Sequence, residues 1–86
     1  MTKFINIGYG NIVNSSKIVA IINPDSAPAK RMVQNAKDNG NIIDATQGRR
    51  TRGIIVTDCG QVILSALQPE TIGSRYYNKD EGEDNE

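Results

Sequence analysis

Ile54-Ile55-Val56-Thr57-Asp58-Cys59-Gly60-Gln61-Val62-Ile63-Leu64 decides how this chain folds. Two β-branched runs flank a short polar turn, and Gly60 is free to take the positive φ that a tight hairpin turn requires, so the stretch predicts a β-hairpin. Ile54 and Val56 point to one face of the first strand and Ile55 to the other. Large aliphatics on both faces call for cover on both. A helix would serve one face, and a neighbouring subunit is the economical cover for the second.

Immediately before the hairpin stands Gly48-Arg49-Arg50-Thr51-Arg52-Gly53, which packs three of the ten cationic side chains into four residues. At period two Arg50 and Arg52 point with Ile54 and Val56, and Arg49 and Thr51 point the other way. Arginine stays charged and binds phosphate oxygens in bidentate fashion, so the cluster reads as an anion grip at the strand base. Like charges this close repel, and the competing reading is that an internal acid or the C-terminal tail neutralises them. Cys59 falls at the opposite end, at the hairpin tip, away from the arginines.

Upstream, Asn41-Ile42-Ile43-Asp44-Ala45-Thr46 predicts a short strand leading into the cluster. Ser26 offers an N-cap oxygen and Pro28 is tolerated in a first turn, so a helix should run to about Asn39. Ala29, Met32, Val33 and Ala36 form its apolar stripe, and Gly40 suits the left-handed position after its end. Lys30, Arg31 and Lys37 lie off that stripe, where a basic face and an ordinary solvated surface explain them equally well. Lys17-Ile18-Val19-Ala20-Ile21-Ile22 predicts a strand covered on both faces, stopped by Asn23-Pro24-Asp25. Lys17 would add a phosphate contact if its end of that strand lies near the arginines; otherwise it is a solvated strand-end lysine. Phe4-Ile5-Asn6-Ile7 alternates and meets Gly8-Tyr9-Gly10-Asn11, a turn in preference to a phosphate-cradling loop, since no helix pattern follows. After the hairpin, Gln68-Pro69-Glu70-Thr71-Ile72-Gly73 suggests a turn or a single helical turn, with Tyr76-Tyr77 packing back.

The predicted fold class is therefore α+β, a small antiparallel sheet with one main helix. With 86 residues the chain makes one domain, and a chain of this size buries only about 60 to 65% of its unfolded surface, which favours self-association. A formal charge of zero conceals a split: residues 1–79 carry ten Lys or Arg against five acids, and Asp80, Glu81, Glu83, Asp84 and Glu86 supply the other five. The expected division is a basic domain over residues 1–77 and an acidic tail over 78–86 that is expected to be disordered, and such asymmetry suggests an anionic partner for the body. One cysteine excludes a disulfide framework and a multi-cysteine zinc site. No signal peptide or membrane span is visible, so a soluble, cytoplasmic protein is expected. With no His and no Ser or Cys beside a recognisable base, an enzyme is not expected, and no cofactor or metal is called for.

Several segments together resemble the extracellular matrix regulatory protein RemA family. They are Phe4-Ile5-Asn6-Ile7-Gly8-Tyr9-Gly10-Asn11, Pro24-Asp25-Ser26-Ala27-Pro28 with Lys30-Arg31, Asp44-Ala45-Thr46 followed by Gly48-Arg49-Arg50-Thr51-Arg52, and Gln68-Pro69-Glu70-Thr71. The resemblance covers residues 3 to about 77. It implies a transcriptional activator of biofilm-matrix genes with a LytTR-like fold, assembled into a ring of about eight subunits around which double-stranded DNA wraps. It further implies that Arg49 and Arg50 are the principal DNA contacts, with Lys17 where family members often carry Arg. Two other classes stay open: an RNA-binding module, poorly served by so few aromatics, and a ring-shaped scaffold that binds proteins. Whether Arg52 joins the DNA contacts or holds an acid of a neighbouring subunit is also open.

Overall fold

In the computed structural model, which describes residues 3–77, the chain order is β1 (Phe4–Gly8), β2 (Asn11–Asn14), a 3-10 turn (Ser15–Lys17), β3 (Ile18–Ile22), α1 (Ala27–Asp38), β4 (Ile42–Asp44), β5 (Gly53–Thr57), β6 (Val62–Ser65) and α2 (Pro69–Tyr77). The predicted acidic tail over 78–86 lies outside the described residues. Strands β3, β5, β6 and β4 form one sheet in that order, and β1 and β2 form a separate hairpin. The architecture is the α+β class expected.

The β5–β6 hairpin forms as predicted, pairing Gly53 with Ser65, Ile54 with Leu64, Ile55 with Ile63 and Val56 with Val62. Its two faces make two cores. Ile54, Val62 and Leu64 pack against Ala29 and Ala36 of α1, with Met32 and Val33 beside them. Ile55 and Ile63 pack against Ile5, Ile7 and Val13 of the β1–β2 hairpin and Ile72 of α2. The second face is thus covered by the chain itself, and the expectation that a neighbouring subunit would cover it is corrected. Strand β2, which returns from the expected turn to complete this cover, has no counterpart among the elements predicted from sequence.

Helix α1 keeps the predicted ends. The Ser26 side chain accepts from the Ala29 N–H at 3.2 Å. At the C-terminus Gly40, at φ +73°, donates to the Lys37 carbonyl at 3.3 Å and Asn41 donates to that of Ala36 at 2.8 Å, the paired bonds of a Schellman motif. Helix α2 replaces the predicted single turn with nine residues. Gly73 lowers helix propensity there, yet full burial of Ile72 and a 2.8 Å bond from Arg75 Nη1 to the Asn6 carbonyl hold the helix against β1. In β3 the pairing with β5 shifts between Ile18 and Ala20. This bulge puts Ile18 and Ile21 against the core of β1 and α2 and turns Ile22 toward α1.

Strand β4 pairs with β6 in parallel, so the sheet is mixed and not purely antiparallel as expected. The cause lies in the connection, residues 45–52. It leaves β4 and enters β5 at the same end of the sheet, crossing over the end of β6, which lies between them. Both of its ends are tied to β6: the Ala45 N–H donates to the Leu64 carbonyl and the Arg52 N–H to that of Ser65, each at 2.9 Å. Between the ties, Asp44 Oδ1 accepts from the Thr46 N–H at 2.9 Å and its hydroxyl at 2.6 Å. The Thr46 carbonyl accepts from the Arg49 N–H at 2.9 Å across Gln47 (φ +56°) and Gly48 (φ +77°). Ser65 is fully buried, donates its hydroxyl to the Ile7 carbonyl at 2.7 Å and accepts from the Leu67 N–H at 3.0 Å.

Two tests address this frame. A Cβ on Gly53 would stand 2.5 Å from the Leu67 carbonyl oxygen and 3.2 Å from Ile72 Cδ1. Gly53→Ala should therefore cost about 1–3 kcal/mol in denaturant unfolding, as overpacked sites do; unchanged stability would mean that the backbone yields freely here. The bonds from Thr46 hold the Asp44 carboxyl below its usual pKa, aided by the charge of Lys37. Because folding lowers this pKa, the stabilisation is complete at neutral pH and is lost as pH falls through the folded-state value. Asp44→Ala should lower the unfolding midpoint at pH 7, and the gap to wild type should narrow as pH falls below the usual aspartate range. A gap independent of pH would count against the carboxylate as the acceptor that matters.

Candidate nucleic-acid interface

Arg49, Arg50 and Arg52 are all exposed. They stand on the tied connection at the end of the sheet where β3, β4 and β6 finish and β5 begins. Arg50 and Arg52 line one polar depression of about 260 Å³ with Thr51, Asn23, Asp25 and Glu70, and Arg49 is not part of its wall. The alternation expected from period two is not kept: Thr51 shares this wall with Arg50 and Arg52 and also lines a hollow with Ile54, and residues 45–52 are not in a strand.

The depression is of mixed charge, two arginines facing two acids. Asp25 and Glu70 share the depression, but among the described residues no acid forms an ion pair with Arg49, Arg50 or Arg52. Asp44, the last residue of β4, is the acid that precedes the connection; its carboxylate accepts from Thr46 and is not ion-paired with the arginines. Within the described residues no ion pair with an internal acid neutralises the cluster; the acidic tail, the other candidate neutraliser, lies outside them. What these arginines offer is guanidinium donors on a backbone held at both ends, an arrangement suited to the oxygens of an anion.

Lys17 does not join them within a subunit. It ends the 3-10 turn beside the hairpin tip, where its carbonyl accepts from the Asp58 N–H at 2.9 Å and its Nζ lies 3.8 Å from Asp58 Oδ2. Ile18 pairs with Thr57 and Ile22 with Ile54, so the length of β5, about 13 Å at 3.3 Å per residue, separates Lys17 from the arginine end. The lysine and its partner are both more than half exposed, and such a pair contributes little. Cys59 shares this far end, as expected. Its thiol is exposed, and hydrogen bonding to the Thr57 hydroxyl and the Gln61 amide lowers its pKa.

The turn at Gly8, Tyr9 and Gly10 leads from β1 into β2 and not into a helix, so it joins two strands and does not form a phosphate cradle at a helix start. Sequence reasoning missed the residues that frame the arginines from a distance: Asn23 and Asp25 after β3, and Gln68 and Glu70 at the start of α2. No spacing rule links these segments; only the strand order brings them to one end. Tyr76 and Tyr77 remain exposed and border the outer edge of β3 with Ile18, Val19 and Ala20. Among the described residues no helix is long and apolar enough to cross a membrane.

Comparison with known proteins assigns the family. A family model described as "RemA-like: Extracellular matrix regulatory protein A-like" matches residues 4–76. A protein of Geobacillus thermodenitrificans is 56% identical over 81 residues, covering 94% of this chain and 93% of its own length. One from Clostridium acetobutylicum is 59% identical over 80 residues, covering 93% and 87%, and one from Clostridium novyi is 60% identical over 79, covering 92% and 88%. All three are described as "Putative regulatory protein". With the family model matching nearly all described residues and these relatives agreeing with it, the chain belongs to the RemA-like family of regulatory proteins.

Proposed function

We propose that this chain is a DNA-binding transcriptional regulator that activates extracellular-matrix genes of biofilms, gripping duplex phosphates with Arg49 and Arg50. The observation that carries the reading is the exposed arginine connection, tied at both ends to β6 and without an ion-pair partner among the described residues. Arg52 stands beside Arg50 and joins the grip; Lys17, at the other end of the sheet, is a separate contact and not a member of the cluster.

A few phosphate contacts per subunit bind weakly, so the reading includes a homo-oligomeric ring, of about eight subunits and LytTR-like in its protomer, that repeats them. Closing a ring needs two different surfaces on each subunit. Two are available at the opposite edges of the sheet: Val19 of β3, 66% exposed and bordered by Tyr76 and Tyr77, and Ile43 of β4, 48% exposed. Phosphate contacts position DNA without reading its sequence, so specificity would come from bendability and from the spacing of repeated weak sites. Smooth bending costs on the order of 1–6 kcal/mol per site of 20–30 base pairs, which repeated salt-dependent contacts can offset. A regulatory rather than catalytic role accords with the descriptions of the relatives.

Arg49→Ala combined with Arg50→Ala is expected to abolish binding to duplex DNA while leaving the oligomer intact. Light scattering beside a DNA titration at two salt concentrations checks both halves; a variant that falls to monomers would make these arginines interface residues. Wild-type binding that ignores salt would remove the phosphate mechanism altogether. For the ring, Val19→Glu should shift the mass toward monomer, and an unchanged mass would place assembly on another surface.

A further inference from the structure

Helix α1 carries Lys30, Val33, Gln34 and Lys37 at i, i+3, i+4 and i+7 along one side. With Thr51, Pro24, Ile54 and Leu64 these residues line a second depression of about 270 Å³ between the helix and the sheet. Thr51 and Pro24 also line the depression that holds Arg50 and Arg52, so the two hollows share a wall. Arg31 is as exposed as the lysines but lines neither. From these placements we propose that Lys30 and Lys37 are further phosphate-binding residues, continuing the arginine grip along α1 as one basic track for the backbone of duplex DNA. This inference rests on the reading of the arginines as a DNA grip.

The charges around the lysines leave them available. Among the described residues neither forms an ion pair. Asp38, on the same helix, accepts from Gln34 Nε2 at 3.1 Å. Asp44, kept ionised by the bonds from Thr46, attracts Lys37 without forming an ion pair with it. Seven residues of helix separate the two lysines by roughly 10 Å along the axis. A DNA strand presents one phosphate per 3.4 Å or so of duplex axis, so the pair spans about three phosphates. Flexible stems let both ammonium groups meet a curved backbone as point charges, where the arginines supply fixed forks. The helix side is thus suited to follow a strand that the connection has already seized.

The experiment compares Lys30→Gln/Lys37→Gln, Arg31→Gln and Arg49→Ala/Arg50→Ala with wild type, titrating one duplex at several salt concentrations. Glutamine keeps the helix propensity and most of the side-chain length. Every phosphate left without its cationic partner should flatten the dependence of log K on log salt by about 0.9, so the lysine pair should remove about 1.8 per engaged subunit. Arg31→Gln should leave the slope unchanged, and Lys30→Arg/Lys37→Arg should restore it. A lysine variant whose slope matches that of Arg31→Gln, while the arginine variant still fails to bind, overturns this inference alone. Arginine variants that bind like wild type overturn the DNA grip and this extension together. Circular dichroism and particle mass of each variant distinguish a missing cation from a damaged fold, and a slope that falls only because the oligomer dissociates counts against the lysines as phosphate ligands.

Discussion

Everything at the basic end of this molecule depends on the last two carbonyls of β6. On a strand successive carbonyls point to opposite sides, so that of Leu64 faces β4 and that of Ser65 faces β5. Each accepts one end of the arginine connection. The Ser65 hydroxyl, wholly buried, reaches a third element through the Ile7 carbonyl. One strand end therefore fixes the connection, the β1–β2 hairpin and the turn into α2. Removing a buried partner in such a network leaves the other atom desolvated and unpaired, which costs about 1–3 kcal/mol. A loop held in this way loses little further entropy when a ligand orders it.

The same frame accounts for how the molecule tolerates concentrated positive charge. Three arginines in four residues repel one another, and no acid among the described residues is paired with them. That repulsion opposes folding, so an anion that binds the folded chain relieves it and stabilises the protein by mass action. Stability is supplied elsewhere, by Ile54 and Ile55, both fully buried on opposite faces of one strand. Charge and core are separated by a single residue, Gly53, packed so tightly beneath the Leu67 carbonyl that it has no space for a side chain.

Much of this was legible in the residues. The hairpin, the capped helix and the arginine cluster each follow from local chemistry: β-branched runs about Gly60, Ser26 and Gly40 at the helix ends, and fixed charges between glycines. What was not legible is long-range. The parallel pairing of β4 with β6 depends on which way a connection crosses, and nothing in residues 45–52 specifies that direction locally. Helix α2 contradicts the propensity of Gly73 because tertiary packing of Ile72 and the Arg75 bond outweigh it. The cover of the second face escaped notice because β2 is only four residues long, and Lys17 was separated from the arginines by strand pairing that no spacing reveals. The framing of the arginines by Asn23, Asp25 and Glu70 is of the same kind, a product of topology and not of motif.

The far end of the hairpin gives the molecule a practical asymmetry. Cys59 is the only cysteine of the chain, it is exposed, and its thiol is more acidic than usual. More thiolate at neutral pH means faster reaction with maleimide reagents. A dye or surface tether attached there sits a strand's length from the arginines, without displacing a group that frames them. The fold thus comes with its own labelling point: an immobilised or fluorescent form presents the arginine end outward.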